Sequence, residues 1–203
     1  MSLEKFKEKV AACQNCPLSK TRDRVAMGRG TFSSKILFLG EAPNYNDDRE
    51  GEAFTGNVGE ILNDALKFGG FDGINPIPYY LDNMVHCCPP ENRKPEVAEV
   101  DACWPWTSEL IGAMNPKIII PMGETAIQGL ARKYGFRKVI GTKKIQELIG
   151  RVIVLDNGTV VVPAYNPAFV ARRNNLKEDY KIFFSFLAQS YPNWLKVRGK
   201  VPA

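Results

Sequence analysis

The chain has no stretch long and apolar enough to cross a bilayer. Its opening residues, MSLEKFKEKV, alternate in charge and lack the apolar centre of a secretory leader. Both absences point to a cytoplasmic protein with no membrane partner. There is no internal repeat and no low-complexity segment, and 203 residues suit one domain, taken as 1–203. Histidine is nearly absent: His86 stands alone. There is also no large charge excess. The net charge of +5 allows a polyanionic partner without requiring one. Five cysteines, an odd number, argue in a cytosolic setting for metal binding or free thiols over disulfides.

What is present is organised around Lys35–Gly56, KILFLGEAPNYNDDREGEAFTG. Ile36 to Leu39 form an apolar run that suits a strand buried on both faces of a parallel sheet. Gly40 ends it. Glu41, Asn44, Asn46, Asp47, Asp48, Arg49 and Glu50 then crowd together and are expected to form a loop. In open α/β sheets ligands bind just beyond the carboxyl ends of strands, so this polar stretch is a candidate active site. Phe54 is an aromatic set among those residues.

Elsewhere, helical spacing predicts Leu3–Ala12, Val58–Phe68, a helix from near Pro95 to Met114, Glu124–Tyr134 and Lys177–Ser190. Apolar runs predict strands at Tyr79–Val85 and Lys117–Met122. Arg151–Leu155 and Thr159–Ala164 flank Asn157-Gly158, a hairpin signal. Phe136–Leu148 reads as a basic loop. Strands alternating with helices give an α/β fold. Cys13 and Cys16 stand two residues apart, and Cys87 and Cys103 are separated by fifteen. Two such pairs could hold an iron–sulfur cluster or a zinc ion, or could be four unrelated buried cysteines; spacing alone does not choose.

Two motifs carry a resemblance. Gly40, Glu41, Ala42, Pro43, Asp48, Gly51, Phe54 and Gly56 fall in register with the first motif of the iron–sulfur (family 4) uracil-DNA glycosylases. Asn83-Met84-Val85-His86-Cys87-Cys88-Pro89-Pro90-Glu91-Asn92-Arg93-Lys94-Pro95 is similar to the family's cysteine-bearing connector. The resemblance covers residues from about 3 to 190. It implies a three-layer sandwich with a central four-stranded, mainly parallel sheet, and a monofunctional DNA glycosylase acting as a monomer on flipped-out uracil or a modified pyrimidine in DNA. It implies a 4Fe-4S cluster held by Cys13, Cys16, Cys87 and Cys103, with Cys88 outside the ligand set. The cluster would pin the N-terminal helix beside the DNA surface. Glu41 and Asp47 would flank the sugar cation. Ala42, Asn44, Phe54 and Asn83 would line the base site, with Phe54 stacking on the base and Asn83 reading its edge. Arg93, Lys94, Arg172 and Arg173 would hold phosphates, and Val170 or Phe169 would wedge into the duplex. His86 matches no catalytic position and reads as structural or DNA-proximal.

Besides Cys88, which stands where the family has arginine, the chain departs from the family pattern at three places in its catalytic motifs. Asn166, in Tyr165-Asn166-Pro167-Ala168, replaces the histidine expected to bond the base carbonyl. It can still donate through its amide, but it carries no charge. Asn44 replaces a glycine. Asp47 stands where relatives often have glutamate, and the shorter acid leaves more room beside the base. These departures keep two alternatives open: a glycosylase for a bulky modified base of viral DNA, and a catalytically inactive iron–sulfur DNA-binding module.

Overall fold

Ile36–Gly40 (β2) is buried at every position, as a strand covered on both faces must be. In the computed structural model, which describes residues 3–73 and 76–199, it is the centre of the sheet. The two ends of the expected 1–203 domain, residues 1–2 and 200–203, lie outside the described residues. Tyr80–Asn83 (β3) pairs with β2 on one side and Ile118–Pro121 (β4) on the other, both parallel. Val160–Val161 (β6) continues the parallel set beyond β4. These four are the expected parallel strands. Two antiparallel edge strands raise the total to six: Arg29–Gly30 (β1) beside β3, and Ile153–Val154 (β5) beside β6.

Alternation along β2 builds two cores. Leu37 and Leu39 face one, with Phe6 and Val10 of Leu3–Ala11 (α1), Val100 and Leu110 of Val97–Met114 (α4), and Ile127 and Leu130 of Glu124–Lys133 (α5). Ile36 and Phe38 face the other, with Leu62 and Leu66 of Gly56–Phe68 (α3), Val170 of Pro167–Ala171 (α8), and Tyr180, Phe184 and Leu187 of Lys177–Trp194 (α9). Phe38 stacks on Phe184 with ring centroids 5.4 Å apart. Burying a side chain of that size contributes about 1.5–3 kcal/mol. The result is the expected three-layer sandwich.

Two expected loops contain helix. Tyr45–Glu50 (α2) forms in the polar stretch because Asn44 and Asp47 make a reciprocal capping box at its start. Arg137–Ile140 (α6) and Ile145–Leu148 (α7) occupy the basic segment, which is anchored by buried Ile140 and Leu148. Among the described residues no helix is long and apolar enough to cross a membrane.

Candidate active site and the four-cysteine region

The carboxyl ends of the parallel strands meet along one edge. The chain passes from β2 to β3 on one side and then crosses to β4 on the other, so the strand order reverses between β2 and β4. Open α/β sheets bind ligands at such a reversal. Glu41 leaves β2 there and reaches across it. Its Oε1 accepts the backbone N–H of Thr125 at the start of α5, at 2.8 Å. Its Oε2 accepts from Asn166 Nδ2, also at 2.8 Å. Gly123 makes room for this: a Cβ there would lie 2.8 Å from the Glu41 carboxyl carbon and 3.0 Å from Asn166 Cβ. Asn166 also caps α8, its Oδ1 accepting the N–H of Ala168 at 2.8 Å. That bond turns the amide nitrogen toward Glu41 and leaves it one further N–H.

Beside this pair lies an amide with nothing to bond. Gly40 and Asn83 are register partners at the ends of β2 and β3. Asn83 is 1 % exposed, and both its Oδ1 and its Nδ2 lack a hydrogen-bond partner. A Cβ on Gly40 would fall on Asn83 Oδ1 and within 2.6 Å of the Phe54 ring. Glycine, amide and aromatic thus converge on one spot. Phe54 is held there at a φ of 61°, in the left-handed region that a bulky residue avoids. Its neighbours hold it in place. Asp47 Oδ1 accepts the N–H of Thr55 at 2.7 Å and its hydroxyl at 2.9 Å, and Arg29 Nη2 donates to the Phe54 carbonyl at 3.2 Å.

Asp47 is buried and fully engaged, because its Oδ2 also accepts the Asn44 N–H at 3.0 Å. Asn44 in turn caps α2 through bonds from Asn46 and Asp47. Asp48 binds the N–H of Asp23 at 2.9 Å and fixes the preceding loop. Ala42 is half-buried and packs on the α4–α5 core.

The residues expected to face DNA divide. Arg172 and Arg173 are exposed at the end of α8. Arg173 lies over the Phe169 ring at 3.9 Å, and Phe169 stacks on Tyr165 at 5.5 Å. Val170 is turned into the core with no exposure, so as placed it cannot wedge into a duplex; its neighbour Phe169 is half-buried and reaches the surface. Arg93 is committed to Glu99 through bonds of 2.9 and 2.6 Å, and this guanidinium holds the Glu99 carboxyl below the usual carboxylate range. Lys94 pairs with Glu124 at 2.7 Å on the surface. A cleft of about 290 Å³ runs past Lys94, Glu124, Thr125, Arg132 and Arg137, but Asn83 and Phe54 do not line it.

The five cysteines are free thiols. Arg22 Nη1 donates to Cys87 Sγ at 3.1 Å, Trp106 Nε1 donates to Cys13 Sγ at 3.1 Å, and His86 Nδ1 lies 3.2 Å from Cys103 Sγ. Burial raises the pKa of Cys16, and the charges of Cys103 and Cys13 add to it. Burial also raises that of Cys87 against the opposing Arg22 bond, with Cys103 again adding to the rise. Cys103 thus bears on both Cys16 and Cys87. Cys88 faces elsewhere: burial, then Asp48 and Asp47, push its thiol up to about 11. Among the described residues no group of three or more His, Cys, Asp or Glu side chains is placed to hold a metal ion. Burial lowers the pKa of His86, but the Asp82 carboxylate and Cys103 outweigh it and hold it well above the usual histidine value.

The uracil DNA glycosylase superfamily model matches residues 27–188. The chain belongs to that superfamily. It is 34 % identical to the type-4 uracil-DNA glycosylase of Sulfurisphaera tokodaii, over 89 % of this chain and 82 % of that protein. It is 32 % identical to the type-4 enzyme of Pyrobaculum aerophilum, over 91 % and 94 %. The type-4 enzyme of Saccharolobus solfataricus is 31 % identical, over 89 % and 84 %. This superfamily member carries several site contributors that side-chain reasoning missed. Thr125 acts through its backbone N–H, to which Gly123 was the pointer. Thr55 and Arg29 lock Phe54. Arg22 and Trp106 serve cysteine sulfurs and gave no local signal.

Proposed function

We propose that the chain is a monofunctional DNA glycosylase that hydrolyses the N-glycosidic bond of uracil flipped out of DNA, the first step of base excision. The observation that carries this reading is Asn83. A buried amide left without partners costs about 1–3 kcal/mol per group, so its donor and acceptor are kept for a ligand. They sit side by side and match the carbonyl and N–H on the pairing edge of uracil. Phe54 supplies the face on which that base stacks. Glu41 places negative charge where the sugar becomes oxocarbenium-like, and the spare N–H of Asn166 is available to the base carbonyl that gains charge. Asp47 acts through Thr55, keeping Phe54 in its strained position, and Ala42 and Asn44 shape the rim.

Phosphates of the flanking DNA would meet Arg172 and Arg173, with Lys94 and Arg93 nearer the connector and Phe169 at the strand gap. Cys13, Cys16, Cys87 and Cys103 would hold a 4Fe-4S cluster that fixes α1 and the connector. A cluster several atoms across needs a wider cradle than the roughly 3.8 Å sulfur spacing around one zinc ion. Free thiols, two of which already accept N–H bonds, would serve as its ligands. The protein would work as a cytoplasmic monomer. The test is base release from synthetic duplexes carrying uracil or a series of 5-substituted and deaminated bases. Uracil release supports the reading. Release of a bulky pyrimidine alone transfers it to a modified-base glycosylase, for which the short Asp47 side chain would leave room. No release with DNA binding intact leaves an inactive binding module.

A further inference from the structure

The cleft of about 290 Å³ lies between the start of α4 and one face of α5, and the base site does not open into it. Thr125, Gln128 and Arg132 recur at helical spacing, so α5 forms a wall about 10 Å long. Pro95 and Val97 make the facing wall apolar. The volume stands at the small end of ligand pockets, which run from about 300 to 1,000 Å³. Positive charge is in excess along the lining. Lys94 is taken up by Glu124 at 2.7 Å. Arg132 Nη2 holds Asp101 at 2.9 Å, and Lys133 also binds Asp101, at 2.6 Å. Arg132 Nε, however, is buried and has no hydrogen-bond partner, a costly state for a donor. Arg137 is exposed, and its guanidinium has no partner among the described residues. Two arginines therefore keep donors free at one end of the cleft. The other end lies beside Glu41. Thr125 gives its backbone N–H to Glu41 at 2.8 Å. The Glu124 bond raises the Lys94 pKa against burial, and the charge of Glu41 adds to the rise.

We propose that this cleft is a second nucleotide site, which takes one unpaired nucleotide of the bound DNA strand, with its phosphate on Arg132 and Arg137 and its base against Pro95 and Val97. The choice of a DNA strand rests on the glycosylase reading given above. An anion with a flat apolar part fits the lining, and a nucleoside 5′-phosphate has both. A strand held at Glu41 passes the end of the cleft, so the next nucleotides are already concentrated there. A paired nucleotide cannot enter, because its partner base would collide with the helices that form the walls. The Gln128 amide, facing the same space, can both donate to and accept from a base edge.

The test uses the full chain and fluorescently tagged single strands with one uracil, lengthened by one nucleotide at a time on either side and read for binding and for base release. Affinity should rise by about tenfold at one added nucleotide, on one side only, as a phosphate reaches the two arginines. That step should vanish in Arg137→Gln, which removes an exposed charge, and in Val97→Glu, which sets an acid on the cleft wall. Val97 opens α4, where a carboxylate suits the helix dipole, so this variant should fold. A smooth rise with length, or a step that both variants keep, overturns the proposal. Thymidine 5′-monophosphate separates the two sources of such a ligand. If the free nucleotide binds and Val97→Glu blocks it while the strands show no step, the cleft serves free nucleotides and the strand assignment is overturned. A step in strands that release no base overturns the glycosylase reading and upholds the cleft as a strand site. Uracil release without a step overturns the cleft assignment alone.

Discussion

Adding one methyl group should close the base pocket without unfolding the protein. Gly40 lies in the regular part of β2, so its backbone suits alanine, but the new Cβ would strike Asn83 Oδ1 and sit 2.6 Å from the Phe54 ring. Overpacking of this kind costs about 1–3 kcal/mol. A domain of this size has about 5–15 kcal/mol of stability to draw on, so Gly40→Ala should fold. The functional loss is larger. Displacing Phe54 forfeits a base stack of about 1–3 kcal/mol. Displacing the Asn83 amide forfeits two hydrogen bonds of about 0.5–1.5 kcal/mol each. Together that is about 2–6 kcal/mol, or roughly 30-fold to 10⁴-fold in base release at 1.4 kcal/mol per decade. The assay is single-turnover release from a duplex with one uracil, with a thermal melt confirming the fold. A folded Gly40→Ala protein that releases uracil within about threefold of the parent rate would refute the placement of the pocket.

The purified chain should be brown, and serine at Cys13, Cys16, Cys87 or Cys103 should remove the visible absorbance while Cys88→Ser keeps it; colourless protein with stoichiometric zinc would contradict this. DNA affinity should fall with salt as counterions are released, and Arg172→Ala should flatten the log–log slope by about one unit; an affinity indifferent to salt would remove the phosphate contacts. Glu99, whose folded pKa lies below its ordinary 4.5, contributes stability in full above that pH and loses it as pH falls through the folded value. Urea midpoints of the parent and Glu99→Gln should therefore differ at pH 7 and converge in acid, and a constant gap would count against the Arg93 pair. Glu41→Gln should slow release on the order of a hundredfold. Combined with Asn166→Ala it should fall short of the product of the two single effects, because the two groups share a bond, whereas full additivity would mean that the bond is absent in the working complex.

The apolar run Ile36 to Leu39 and the isoleucines of β4 announced the buried strands, since only a doubly covered strand is apolar at every position. The Asn157-Gly158 hairpin signal announced β5 beside β6, but the edge strand β1 could not be read, because two residues hold no period. The polar stretch after Glu41 looked like a loop by composition. The cue to its helix was the spacing of Asn44 and Asp47, three apart, whose side chains cap each other's backbone. Val170 came with the resemblance as one of two wedge candidates, and a five-residue helix has too few turns for the sequence to show that its side chain is buried. Glu41, Asn83 and Phe54 were legible as residue types near strand ends. The partners that hold them come from far along the chain, Thr125 and Asn166 among them, and only folding brings these together.

Asn166 shows how a neutral side chain can hold a site's geometry. An asparagine in this position does two jobs with one amide. Its oxygen caps α8 and its nitrogen holds Glu41, and because both bonds fix the same plane, neither atom can turn without breaking the other bond. A histidine could donate from one ring nitrogen, but its other nitrogen could cap the helix only in the neutral form, as an acceptor. Charge on the donor and a capped α8 would then compete. In this chain the competition is settled toward rigidity: Glu41 is pinned from both sides, by α5 through Thr125 and by α8 through Asn166. On the proposed reading, catalysis would lean on preorganised placement of a carboxylate and a neutral donor rather than on a cation at the base. Its rate should therefore fall with any change that frees Asn166 from its cap, even one that leaves the amide in place.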